Sequence, residues 1–405
     1  MQTVQRLAIV LSLVLGPVEL ARGQSYTFTT IDVPGATGTG ATGINNSGQI
    51  IGGFLSGGTF NGFVDVGGVF TTLNKPGATS TLLFANNASG MIVGGYPVGA
   101  GPDNPFETAN GFLYSGGVFT TLNYPGASIT TPFSINAGAT VVGLHRGADG
   151  IGHGFVYTGA FSPFDVPGAF ATQAHGINDA GHIVGFYRAF GGGPHHGFLY
   201  DGTSFTTVDC SGATETQPQK INNLGDIVGI YSTGGAPIGF LRKAGICSVI
   251  AVPGALVTVP LGINDQDAIV GIYTSDGVTL HGFLATPSVL TVSIMIKPRA
   301  APPVPINPGA EGKIPVAILS TASFNAVTQV NTTSLTFGHT GNENSLAFCA
   351  PGGEDVNADG SLDLVCLFNT PTTGFVAGDT VATLKGATVS GQKIQGSEAV
   401  VIVPQ

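Results

Sequence analysis

The densest set of oxygen ligands in the chain lies in nine residues, Asp355-Val-Asn-Ala-Asp-Gly-Ser-Leu-Asp363. Side chains of Asp355, Asn357, Asp359 and Asp363 fall at positions 1, 3, 5 and 9, with Gly360 at position 6 for a sharp turn and the Ser361 carbonyl at position 7. That spacing wraps one hard cation, and calcium is the expected occupant. Three aspartates beside Glu354 repel one another unless a cation relieves them. The expected role is structural, because the ligands form one closed local loop and extracellular calcium fills weak sites with Kd of about 10⁻⁴ to 10⁻³ M.

The loop resembles the calcium loops of EF-hand and integrin-type repeats over those nine residues only. It departs from the EF-hand at position 12, where Cys366 stands in place of a bidentate Glu. Either the affinity is weaker or Asp363 takes that ligand's place.

Two other residue sets could in principle carry chemistry. The position before a recurring Gly-Phe holds Asn61, Asn110, His153, His196, Ile238 and His281, and three histidines at one level could converge on a metal. A polar residue repeated at a strand start more simply hydrogen-bonds within its own sheet. Asparagines such as Asn45-Asn46, Asn222-Asn223 and Asn264 could bind sugars, but Asn also tolerates turn conformations, and turn chemistry is the expectation. There is no G-x-S-x-G, H-E-x-x-H or G-x-x-x-x-G-K motif in the sequence.

The elements that position these residues are announced by self-similarity. Six copies of one phrase begin at Phe28 (FTTIDVPGA), Phe70, Phe119, Phe161, Phe205 and Cys247, and their glycines recur every 42 to 49 residues. Each copy continues with an Asn-rich turn and an apolar run, as in GINDAGHIVGFY from Gly176, then a phrase such as HGFLYDG from His196. One unit therefore holds four short strands joined by Asn- and Gly-rich turns. Six such sheets stacked radially bury their faces, and closing the ring removes free edges. The chain opens on an FTTID strand and its last repeat stops at HGFLATP, so Tyr26 to Val33 is expected to complete the sixth unit. This offset favours a closed six-bladed β-propeller over an open solenoid.

The segment between the IVGxY and GF strands varies from eight to fifteen residues and shares a face with the Pro-Gly-Ala loops. Variable loops are where binding usually resides. Asp103, Glu107, His145 and His195 are the candidates at the channel mouth there.

The wording GINNxGxIVG followed by HGFLY resembles the HAF family of bacterial extracellular repeats, over about residues 26–288. The resemblance implies an extracellular repeat protein and brings no activity. From about Leu290 the phrases change to KP, INP, IPVAIL and DVNADGSLDLV, and the module is similar to one that ends many uncharacterised secreted bacterial proteins.

Composition agrees with an all-β chain: 64 Gly and 25 Pro suit short strands and tight turns rather than long helices. A net charge of −10 without a basic cluster argues against nucleic acid. Residues 1–23 read as a secretory signal, with Arg6, the apolar run Leu7–Leu15 and a small-residue cleavage site at Ala21-Arg22-Gly23. No membrane insertion is expected after cleavage. Cys210, Cys247, Cys349 and Cys366 are an even number in an oxidising compartment. Pairing 210 with 247 and 349 with 366 is the simplest of three connectivities, and spacing alone does not choose.

The expected organisation is a signal at 1–23, a propeller at 24–288 and a small β-sandwich-like module at 289–405. The expected function is a secreted, non-catalytic binding protein whose partner is an extracellular glycan, an envelope component or a protein. The competing readings are a propeller lyase or hydrolase acting on polysaccharide, with acids or histidines converging at the channel mouth, and a structural matrix protein.

Overall fold

A computed structural model describes residues 25–97 and 110–403. The expected signal at 1–23, and with it Asp103 and Glu107, lie outside the described residues. What is described is all-β and divides into two compact units, one holding Phe28–Thr286 and the other Pro287 onward with the few residues before Phe28. No helix among the described residues is long and apolar enough to cross a membrane.

The first unit contains six four-stranded antiparallel sheets. In the third, Ile129–Ile135 pairs with Val141–Arg146, which pairs with Gly152–Tyr157, which pairs with Phe161–Pro163. Five sheets are built this way from one continuous stretch each. The sixth takes Val257–Ile263, Ile269–Thr274 and His281–Pro287 from the last repeat and its outermost strand, Tyr26–Ile31, from the start of the chain.

The repeated phrases have direct steric causes. In the first sheet a Cβ on Gly52, the glycine of the IVG-type phrase, would stand 2.0 Å from the carbonyl oxygen of Gly40 and 2.7 Å from the Phe63 ring. The same collision recurs at Gly143, Gly185 and Gly271. The Gly-Phe ring of each repeat lies against that bare glycine, and Phe63, Phe112, Phe155, Phe198, Phe240 and Phe283 are all fully buried. Each of these rings adds a large apolar surface to the core of its sheet, beside the buried Ile and Val residues.

The second unit has two sheets. One orders Leu290–Thr291, Lys393–Ile402, Val381–Thr388 and Val330–Gly338, with Val304–Ile306 also on Lys393–Ile402. The other orders Ile294–Ile296, Lys313–Ile318, Leu364–Asn369 and Leu346–Cys349. Phe337 and Leu384 of the first sheet share one buried core with Val316 and Phe368 of the second.

Both disulfides follow the simplest pairing. Cys349–Cys366 joins adjacent strands of the second unit. Cys210–Cys247 joins the end of one repeat to the outermost strand of the next. In the third repeat the equivalent positions are Tyr124 and Phe161, whose rings meet edge to face at 5.2 Å, so the disulfide stands where an aromatic contact stands elsewhere.

Candidate functional site

The innermost strand of every sheet carries a bulge at the same place, one residue before the glycine or its equivalent in the GIN phrase. The register slips between Ala41 and Gly43, Leu83 and Ala85, Pro132 and Ser134, Ala174 and Gly176, Pro218 and Lys220, and Pro260 and Gly262. A bulge re-aims the side chain it skips. The skipped residues are Thr42, Phe84, Phe133, His175, Gln219 and Leu261, and all six line one cavity of about 390 Å³ enclosed by the inner strands.

The cavity has three kinds of wall. An aromatic arc runs from Phe84 to Phe133 (ring centroids 5.8 Å apart), His175 (4.1 Å, stacked), Phe186 (4.9 Å) and His195 (5.0 Å). A polar arc holds Gln173, Gln217, Gln219 and Lys220. Val259, Leu261 and Ile272 complete an aliphatic side. Among the described residues the walls contain no aspartate or glutamate.

Next along the axis comes a layer of small residues, Gly43, Ala85, Ser134, Gly176 and Gly262, because the strands converge there: a Cβ on Gly176 would lie 2.9 Å from the Lys220 Cα. Lys220 is the exception in that layer. Its Nζ reaches across to donate to the carbonyl oxygens of Phe133 (2.6 Å) and His175 (3.0 Å), and among the described residues no carboxylate approaches it. Burial lowers its pKa to about 7. Burial, followed by the charge of Lys220, lowers His175 to about 3, so its imidazole is neutral; its Nε2 contacts Gln173 Oε1 at 3.1 Å. Burial also depresses His195 despite Glu215 beside it.

Beyond Lys220 the channel ends in a hydrogen-bonded ring. The side-chain amide of Asn45 donates to the main-chain carbonyl of Asn87, Asn87 to Asn136, Asn136 to Asn178, Asn178 to Asn222, Asn222 to Asn264 and Asn264 back to Asn45, all at 3.0–3.2 Å. Each side-chain oxygen meanwhile accepts N–H groups of its own turn, as Asn264 does from Gln266 and Ala268. The turn chemistry expected of these asparagines is present, and the link to the neighbouring sheet is an addition that no single repeat reveals.

The recurring histidines do not meet. His153, His196 and His281 each bind the aspartate of the following FTTxD phrase through Nδ1, at 2.8 Å to Asp165, 2.7 Å to Asp209 and 2.8 Å to Asp32. Where the repeat has Asn, the partner is Asn: Asn74 donates to Asn61 at 2.8 Å and Asn123 to Asn110. The sixth pair is Ile238 with Ala251. His145 lies outside the cavity, stacked on Tyr124 with centroids 3.6 Å apart, whereas His195 is in the cavity wall.

In the second unit the acidic loop is folded on itself. The Asp355 carboxylate accepts the N–H of Asp359 and Gly360, and Asp359 accepts that of Ser361 and the Asn357 amide. Asn357 and Asp359 are exposed and Asp355 and Ser361 half-buried. Asp363 is fully buried, with its two oxygens accepting the N–H of Ser320 (2.8 Å) and Val356 (3.1 Å). Among the described residues no three His, Cys, Asp or Glu side chains gather as a metal-holding group. Asp355, Asn357, Asp359, Ser361 and Asp363 all belong to this one loop.

Sequence reasoning passed over His175, Gln217, Gln219 and Lys220. A signal for them exists: in TGIN, FANN, FSIN, HGIN, QKIN and LGIN the last two positions barely change, while the first differs in almost every copy.

No protein-family model and no curated protein matches the chain. Solved structures similar to it include virginiamycin B lyase from Staphylococcus aureus with quinupristin, 13% identical over 65% of this chain and 99% of that one, with a TM-score of 0.39. The β-propeller domain of the Trilobed protease from Pyrococcus furiosus is 9% identical over 61% and 95%, with a TM-score of 0.37. A fungal alcohol oxidase in complex with copper is 10% identical over 94% and 100%, with a TM-score of 0.38. Neighbours this distant span several activities and assign none to this chain.

Proposed function

We propose that the chain is a secreted, non-catalytic binding protein: a six-bladed β-propeller that admits part of an extracellular glycan, envelope component or protein into its axial cavity, followed by a small β-sandwich. One observation carries this reading. The repeats keep their scaffold residues, yet the bulged position that faces the cavity has diverged to Thr, Phe, Phe, His, Gln and Leu. A purely structural channel lining would be free to stay alike in all six. Cavities of a few hundred Å³ with apolar walls and a few convergent polar groups are typical ligand sites. Secretion is supported by the two disulfides, which persist in oxidising compartments. Calcium at the Asp355 loop belongs to the same proposal and rests on ligand spacing.

The test is depletion of the purified protein from solution by insoluble polysaccharides and cell envelopes, beside a Leu261→Trp variant whose indole fills the cavity. Depletion that the variant loses is the expected result. Depletion unchanged in the variant overturns the cavity reading, and release of soluble sugar would replace binding by the lyase or hydrolase alternative.

A further inference from the structure

The cavity's polarity is lopsided in a way that selects among ligands. Among the described residues its only charged group is the ammonium of Lys220, and every other polar group in the described wall is neutral: the amides of Gln173, Gln217 and Gln219, the hydroxyl of Thr42, and the two imidazoles. Glutamines can turn their NH₂ ends inward as donors. Lys220 is held at the narrow end by two carbonyl oxygens, which fix its position and leave one N–H direction unused. A buried cation without a carboxylate is an unbalanced charge, and an anion is what balances it. The opposite walls, rings on one side and Val259, Leu261 and Ile272 on the other, suit an apolar body.

We propose that the cavity takes a small monoanionic acid with an apolar, ring-bearing body, its carboxylate on Lys220 and the glutamine amides and its ring between the aromatic arc and the aliphatic wall. The inference rests on the axial-cavity reading above and specifies its ligand. Burial lowers the Lys220 pKa to about 7, and a bound carboxylate would favour its protonated form.

Lys220 also has a plain structural alternative, that of a plug filling the layer its glycine-bearing counterparts leave open. The experiment separates the two. Isothermal titration of the purified protein with trans-cinnamate and with its neutral counterpart cinnamamide is repeated for Lys220→Met and Leu261→Trp, each checked by thermal melting. The expected result is at least about tenfold tighter binding of cinnamate than of cinnamamide by the unsubstituted protein, with the two within about twofold of each other in Lys220→Met; a tenfold difference is the size expected of one charge-assisted contact. Equal affinity for the two probes in the unsubstituted protein, or a preference that survives in Lys220→Met, overturns the anion assignment while leaving the cavity reading intact. Binding of neither probe, or binding untouched by Leu261→Trp, also overturns the assignment, whereas the cavity reading itself falls only if depletion by polysaccharides and envelopes is unchanged in Leu261→Trp.

Discussion

The side-chain amide of Asn264 donates to the main-chain carbonyl of Asn45, 219 residues earlier, at 3.2 Å. Five like bonds run between neighbouring repeats, and this sixth one joins the last repeat to the first. Asn264 also caps its own turn through Gln266 and Ala268, so one side chain serves three backbone groups, of which the Asn45 carbonyl and the Ala268 N–H are buried.

Replacing Asn264 by Ala therefore strands a buried carbonyl and two N–H groups, and is expected to cost roughly 1–3 kcal/mol. Asn46→Ala, at the exposed neighbour that pairs with Asp265, is expected to stay within about 0.5 kcal/mol. Urea unfolding of the two variants decides it; equal losses would mean that the ring contributes nothing particular.

His281 and Asp32 form the second long-range closure, at 2.8 Å across 249 residues. The fifth repeat shows that Ile238 and Ala251 are accepted in the same two places. His281→Ile and Asp32→Ala singly should each cost about 1 kcal/mol, and the double variant less than their sum, because the pair interacts. Strict additivity in a double-mutant cycle would refute a direct contribution.

Acidification should weaken the first unit through His175. Its pKa is lowered in the folded chain to about 3, so below the ordinary value of 6.5 the unfolded chain takes up a proton that the folded one refuses. Stability present above pH 6.5 is then lost progressively as pH falls toward 3. His153 works in the opposite sense: burial opposes its charge, but Asp165 and Asp149 raise its pKa, so its contribution is present in acid and lost as pH rises past 6.5. Melting temperatures between pH 8 and 4 should fall less steeply for His175→Phe than for the unsubstituted protein; parallel curves would exclude His175 as the cause.

Asp363 separates the fold of the acidic loop from its proposed ion. Because it is fully buried and accepts two backbone N–H groups, Asp363→Ala should destabilise the C-terminal unit by about 2–3 kcal/mol in calcium and in chelator alike. Asp359→Ala, at an exposed position, should change only the calcium response. Calorimetry with calcium and with chelator reads both, and an Asp363 effect confined to the calcium arm would refute a structural role independent of the ion.

The strand plan and the closure by the first strand were legible in the repeat, since periodic Gly-Phe, Pro-Gly-Ala and Asn-x-x-Gly phrases mark where backbone must approach backbone or turn. Even the departures follow: Ala139 and Asp267 stand at the turn glycine's place and adopt the same positive φ, 60° and 62°. The cavity was not legible in that way. His175 and Gln219 face the axis because of a one-residue bulge, and alternation along a strand cannot show which residue a bulge skips. Lys220 reads as a solvated charge until six strands are brought around it.

The strand completing the sixth sheet, Tyr26–Ile31, is made about 250 residues before His281–Pro287, the strand it pairs with. With about 250 residues between Asp32 and His281 and translation at roughly 5–20 residues per second, Tyr26–Ile31 waits on the order of tens of seconds for its pairing edge. During that interval the nascent protein holds an unpaired strand at each end, the arrangement most open to joining a neighbouring copy. Strand Tyr26–Ile31 carries Tyr26, Phe28 and Ile31 and no charged side chain, so nothing in that strand itself guards the waiting edge against such mispairing.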